Sequence, residues 1–402
     1  MINNVFFYCP SKKIGGEQQL YIRCANYLIS HSNVQVHYID YSNGYAQDHL
    51  SEGVKRIDSG ELSNFEFPSD SLLIIALSYA NTIFDIFKLN EKPIGFRLLY
   101  WSLQPYNLTG KILIHNKYNL LLPFQKLAFR KTIESLCSDG VIRFMDYNNY
   151  HTVKKVFGLE MDHINYLPVP INDDNIRPIH NLSYNRIHDD NFTFLWISRI
   201  DHAKKNTLLT IINELENVNK RIPCKLFVVG DGDVLDEVKQ FASMKSIEVV
   251  FMGRLFGHEL DSFIDNEIDI GVGMGISGLE ISKRGKPVIM KAVMPKKRKA
   301  GVEKDYIFLH QEYGYSLGSP DFYIDGQSDF LSKVKELQHN YLYYAKKDYE
   351  YTVQKHSIVN TGKLLLKVIN SGEMSDEIFS EVKKLEGLIK TYRRITLRKN
   401  GI

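Results

Sequence analysis

The chain has 402 residues, 44% hydrophobic and 24% charged, a composition that fits two or three globular domains and excludes a disordered or fibrous chain. Its 50 Lys and Arg against 47 Asp and Glu leave a net charge of +3, so no overall field selects nucleic acid, and any basic surface must be local. The opening MINNVFFYCP lacks the basic start and apolar run of a secretory signal, and no stretch reaches the roughly 18 uninterrupted apolar residues of a membrane span, so the expected location is the cytoplasm.

Cys9, Cys24, Cys137 and Cys224 form no CxxC pair, which argues against metal or redox roles and predicts four buried thiols. The sequons at Asn107, Asn181 and Asn191 are then accidents of composition. No repeat of solenoid period and no low-complexity tract occurs.

The first half alternates strands with helices. Residues 5–8 form a short apolar strand, followed by Lys12-Lys13, Gly15-Gly16 and a helix over 17–30 whose Leu20, Cys24, Tyr27 and Leu28 share one face. Strands are predicted over 34–39, 71–77, 94–103 and 140–145, with helices over 79–89, in a long segment through Cys137, and over 148–157. This is a doubly wound α/β order. Residues 164–171, INYLPVPI, and the polar stretch 172–190 read as an exposed connection. The same grammar restarts with strands over 192–200, 225–229 and 247–252 and helices over 206–220 and 235–244. The expected domains are 1–170, a linker 171–190, a second domain 191–375, and a terminal basic amphipathic helix 376–402. Two such domains would face a central cleft, and ligands of α/β sheets bind at strand carboxyl ends.

The densest chemistry lies in residues 268–289, IDIGVGMGISGLEISKRGKPVI. A strand runs into a turn with Gly273 and Gly275, then a helix opening at Ile276, Ser277, Gly278 and Leu279 and carrying Glu280. The glycines let a ligand approach the backbone, helix-start amides face an anion, and Glu280 can accept from ribose hydroxyls. An ordinary crossover with a tight turn has the same pattern. Three further strand ends carry related groups: Ser198-Arg199 with Lys204, Lys205 and Asn206; Gly230-Asp231-Gly232; and Gly253-Arg254. Cations and glycines at four successive strand ends would form a nucleotide diphosphate site.

These motifs resemble the donor domain of GT-B glycosyltransferases, specifically the large retaining family 4. In that family an Arg and a Lys after the first donor-domain strand grip the pyrophosphate, matched in SRIDHAKKN by Arg199 and by Lys204 or Lys205. VVGDG at 228–232, the F-x-G of Phe251 to Gly253 with Arg254 and Leu255 near the base, and the LExxxxGxPVI block at 279–289 follow the family order. The match is good over 192–290 and looser at Ile14-Gly15-Gly16. The first of the family's two glutamates falls on Val272, and the strand end YWSLQP carries Gln104 where many relatives have a histidine. Trp101 and Gln104 are then acceptor-side candidates, although Trp101 can equally be a packing residue.

The resemblance implies a two-domain α/β GT-B enzyme, metal-independent and retaining, without cofactor. It would pass a sugar from a nucleotide-sugar donor to a lipid-linked glycan acceptor in bacterial surface polysaccharide assembly (O-antigen or capsule). The basic run 294–300, MPKKRKA, and the terminal helix could meet the inner-membrane surface, and the alternatives are a solvated loop and a helix packed on the first domain. A non-catalytic sugar-nucleotide-binding subunit and a sugar-nucleotide epimerase of the same fold are the rival functions.

Overall fold

The computed structural model describes residues 1–12, 15–104, 108, 123–173, 176–177, 191–291, 299, 301, 304–311 and 328–399, except the side chains of 64 and 395–399. The chain forms two compact units, one of Met1–Pro170 with Ile358–Ile402 and the other of Ile171–Ser357.

The first unit is built on a six-stranded parallel sheet in the order β3-β2-β1-β4-β5-β6. The strands are β1 Asn4–Tyr8, β2 Gln35–Asp40, β3 Lys55–Asp58, β4 Ser71–Ala76, β5 Arg97–Ser102 and β6 Ile142–Phe144. β4 (SLLIIA) and β5 (RLLYWS) are buried at every residue, as central parallel strands covered on both faces must be. β3 (KRID) is a polar edge strand that apolar patterning does not reveal. The order reverses between β1 and β4, which makes that point a switch crevice. Asp40, at the end of β2, accepts from the amides of Ser11, Tyr41 and Ala46 at 2.7, 2.8 and 3.1 Å and so braces the loop leaving β1.

The stretch expected as one helix over 79–89 is a 3-10 turn Leu77–Tyr79 and a short helix Ile83–Phe87, ended by Lys88 in the left-handed region. Helix Tyr147–Phe157 is capped by Asp146, which accepts from the Asn149 amide at 2.8 Å, and ends on Gly158 at φ 74°. Residues 358–375, expected with the second domain, lie in the first unit. Helix Ile358–Asn370 packs on helix Gly16–His31, where Gly362 meets the Tyr27 ring, and helix Asp376–Lys399 packs on helix Pro123–Ser138. Phe379, Val382, Leu385 and Ile389 bury the apolar face of that terminal helix in the unit's core.

The second unit repeats the plan with the order β12-β11-β10-β7-β8-β9. Its strands are β7 Phe192–Ile197, β8 Cys224–Val229, β9 Glu248–Gly253, β10 Ile270–Gly273, β11 Val288–Met290 and β12 Ile307–Phe308, with only β12 antiparallel. The switch point lies between β7 and β10. Helix Phe330–His356, capped by Asp329 and kinked at Asn340, closes the unit. Its fully buried Asp348 accepts from the Val288 amide at 2.8 Å and from the His310 amide and ring Nδ1 at 2.9 and 2.5 Å. One carboxylate thus holds β11, the turn after β12 and the helix together. Asp348→Ala strands buried N–H groups and is expected to cost about 3 kcal/mol. A lowered urea midpoint at unchanged m-value is the check.

All four cysteines are free and buried. Among the described residues no helix is long and apolar enough to cross a membrane.

Candidate functional site

The loops that leave β7, β8 and β9 extend their strands' pairing beyond the sheet. The Ser198 amide donates to Val229 O at 3.1 Å, the Ile200 amide to Asp231 O at 3.0 Å, and the Gly230 amide to Gly253 O at 2.7 Å. Gly230 sits at φ 141°, and a Cβ there would lie 1.9 Å from Ser198 O. Only glycine lets these two loops approach so closely.

On this platform Asp201 caps helix His202–Asn219, accepting from the Lys204 amide at 3.1 Å, and its other oxygen lies 3.4 Å from Arg199 Nη2. Arg199 keeps 61% of its side chain exposed, so its guanidinium can exchange Asp201 for a ligand anion. Burial pulls the Lys204 ammonium below its ordinary pKa, Asp201 opposes that shift and the nearby Arg199 adds to it. Lys205 is turned to helix Leu235–Ser243, where it pairs with Glu237 at 2.6 Å. Of the two lysines, then, Lys204 shares its surroundings with Arg199. Arg254 reaches back from the end of β9 to Asp231 at 3.3 Å, and Asp231 also accepts from the Gly232 amide at 2.8 Å. Leu255 follows, partly exposed.

β10 ends at Gly273, and helix Ile276–Ser282 starts after Gly275, at φ 64°. Ser277 Oγ donates to Met274 O at 2.8 Å, which ties the turn to the helix start. Leu279 is fully buried and Gly278 packs against Met290 Sδ, so both can offer a ligand their backbone only. Glu280 is partly exposed and pairs with Lys283 Nζ at 2.5 Å; the lysine side chain is 4% exposed. Val272 is buried in the unit's hydrophobic core, so no carboxylate stands at that place.

Lys283 was not among the expected site residues, although its spacing of three from Glu280 was legible. Lys291 was missed too: its amide donates to Gly273 O at 2.8 Å, and its buried ammonium pairs with Asp305 beside the Tyr306 ring. Nothing local in the sequence marks that pair, because Asp305 lies 14 residues further along the chain.

In the first unit Gly15 and Gly16 open helix Gly16–His31 past the end of β1, while Ile14 lies outside the described residues. Gln104 is exposed beyond the end of β5. Trp101 is a core residue, fully buried, with its indole N–H given to Leu167 O at 2.8 Å and its ring against Tyr21; it does not line an acceptor pocket. Among the described residues no group of three or more His, Cys, Asp or Glu is placed to hold a metal ion. The basic run 294–300 lies outside the described residues except for Lys299.

Solved structures share this architecture. Anabaena Alr3699/HepE in complex with UDP-glucose superposes with a TM-score of 0.55 at 14% identity, over 92% of this chain and 99% of that one. TarM gives 0.58 at 11%, also over 92% and 99%. The chain has the GT-B fold. A third GT-B structure, the lipopolysaccharide outer core galactosyltransferase WaaB in its apo form, gives 0.51 at 13% identity over 92% and 99%. No family model and no curated protein matches the sequence.

Proposed function

We propose that this GT-B protein is a glycosyltransferase that moves a sugar from a nucleotide-sugar donor to a glycan acceptor, with its donor site at the carboxyl ends of β7 to β10. The observation that carries the reading is the juxtaposition of exposed Arg199 with Lys204 at a helix start, on a loop platform that Gly230 makes possible. The HepE structure holding UDP-glucose, and a TarM structure holding UDP with α-GlcNAc-glycerol, support the donor and acceptor classes.

In the proposed reaction the anomeric C–O bond breaks and negative charge collects on the leaving pyrophosphate. Arg199, Lys204 and the amides at 276–279 stabilise that charge, and Glu280 accepts from the ribose hydroxyls. Arg254 and Leu255 border the base, and Gln104 lies on the acceptor side. The acceptor hydroxyl attacks and passes its proton to the departing phosphate, with retention at the anomeric carbon and without a metal. The acceptor is a lipid-linked oligosaccharide of bacterial surface polysaccharide assembly, met at the cytoplasmic face of the inner membrane.

The test is thermal stabilisation by UDP, GDP, ADP and CMP, since a ligand that binds only the folded state raises its stability. One nucleotide is expected to shift the midpoint, and Arg199→Ala to weaken it roughly tenfold or more by removing a charge-assisted contact of about 1.5–3 kcal/mol. Equal affinity in the folded variant would remove Arg199 from the site. The buried Val272 favours one rival, a subunit that binds sugar nucleotide without turning it over. Nucleotide binding with no acceptor-dependent nucleotide release would decide for it, and donor conversion without acceptor for an epimerase.

A further inference from the structure

From residue 92 to 133 the sequence has no Asp or Glu but seven Lys and Arg, and it includes Leu120-Leu121-Leu122 just before Pro123. Helix Pro123–Ser138 begins within this stretch. Its Phe129, Ile133, Leu136 and Cys137 are buried in the core of the first unit. Phe124 and Leu127 are not part of that stripe. They are 67% and 49% exposed, three residues apart on one helix face, with Lys131 exposed and Lys126 partly so.

Helix Asp376–Lys399 runs antiparallel to this one. Arg97 bonds both Gly372 O and Asp139 O at one end, and Glu381 meets Thr132 a little further along. At 1.5 Å per residue on both helices, the exposed Arg393 and Arg394 lie about one turn past the Pro123 end. Lys126 lies over Gly158, which brings the exposed Lys154 and Lys155 of the last turn of helix Tyr147–Phe157 to the same place. An aromatic and an aliphatic side chain thus stand exposed amid cations from three helices.

We propose that this end of the first unit docks on an anionic lipid surface. Phe124 and Leu127 enter the boundary between headgroups and acyl chains, and Lys126, Lys131, Arg393 and Arg394 lie against lipid phosphates. Charge complementarity selects this occupant: a second copy would bring the same cations face to face, and two apolar side chains fall far short of the ~800 Å² per partner of a stable protein interface. The docking rests on the membrane-borne acceptor proposed above.

The test is co-sedimentation of the full chain with vesicles of phosphatidylcholine alone or with about a third phosphatidylglycerol. Binding is expected only with the anionic lipid, falling as salt rises. Phe124→Ser with Leu127→Ser, and separately Lys126→Glu with Lys131→Glu, should each weaken it about tenfold or more, since one surface cation is worth roughly fivefold. All four positions lie at the surface, so the thermal midpoint should hold. No binding to anionic vesicles, or equal binding by both variants, would overturn the docking. So would sedimentation velocity in which the variants lose self-association while lipid binding stays unchanged, which would assign the face to a second copy. Vesicle binding needs neither donor nor acceptor. A chain that shifts with a nucleotide but ignores vesicles overturns the docking alone, and one that binds vesicles but takes no nucleotide overturns the donor site alone.

Discussion

Gly230→Ala is expected to destabilise the second unit by about 3 kcal/mol or more and to abolish nucleotide binding. Two costs combine at this position. The backbone stands at φ 141°, which an L side chain rarely adopts, and the added Cβ would meet Ser198 O at 1.9 Å. Relief requires the 198–201 loop to move away, and that loop carries Arg199 and the Asp201 cap. Gly253→Ala is the internal control: φ is 69° there, but nothing lies within 4 Å of the new Cβ, so about 1–2 kcal/mol is expected. Urea unfolding of both variants, with the nucleotide thermal shift beside it, separates conformational strain from collision. If Gly230→Ala costs no more than Gly253→Ala, the two loops do not approach as described.

Glu280→Ala is expected to act on both stability and donor use. Its carboxylate pairs with Lys283, whose side chain is 4% exposed, and removing one member of a buried pair costs about 3–5 kcal/mol where no other charge compensates. Asp261 also faces this lysine; burial raises the Asp261 pKa, and Lys283 and Arg284 lower it. It supplies part of the compensation, so the expected loss is about 2–3 kcal/mol. For the donor, losing an acceptor of ribose hydroxyls should lower kcat/KM by about tenfold to a hundredfold. Lys283→Met separates the two roles. It removes the other member of the same pair, so a stability loss of the same order, about 2–3 kcal/mol, is expected, but it leaves the Glu280 carboxylate in place for the ribose. Donor kcat/KM should then stay within about threefold of the parent protein. An equal fall in Lys283→Met and a stability-matched Glu280→Gln would make Glu280 a structural residue.

Much of the second unit's plan was legible because its signals are local. Apolar runs ending in Gly273, Gly230 and Gly253 marked strand ends, and the LExxxxGxPVI spacing marked the turn and helix after β10. Asp201 shows the limit of such reading: the helix was expected from residue 206, yet it starts at His202, because a capping carboxylate satisfies the first amides before the apolar period begins. β3 escaped because an edge strand buries little, and KRID has no apolar alternation. Trp101 was an acceptor candidate by its place at a strand end, and the structure turns it inward onto Leu167 O.

The sequence by itself determined the α/β class, the repeated strand-helix grammar and the glycine turns, since periodicity and backbone permissiveness belong to neighbouring residues. Tertiary structure alone decided which lysine stands with Arg199, that Asp348 joins three elements across 60 residues to the Val288 amide, that Lys291 pairs with Asp305, and that residues 358–399 pack on the first unit. The physical reason is the same in each case. A buried charge or an apolar helix face must find a partner, and the partner is chosen by proximity in the folded chain, where sequence separation carries no information.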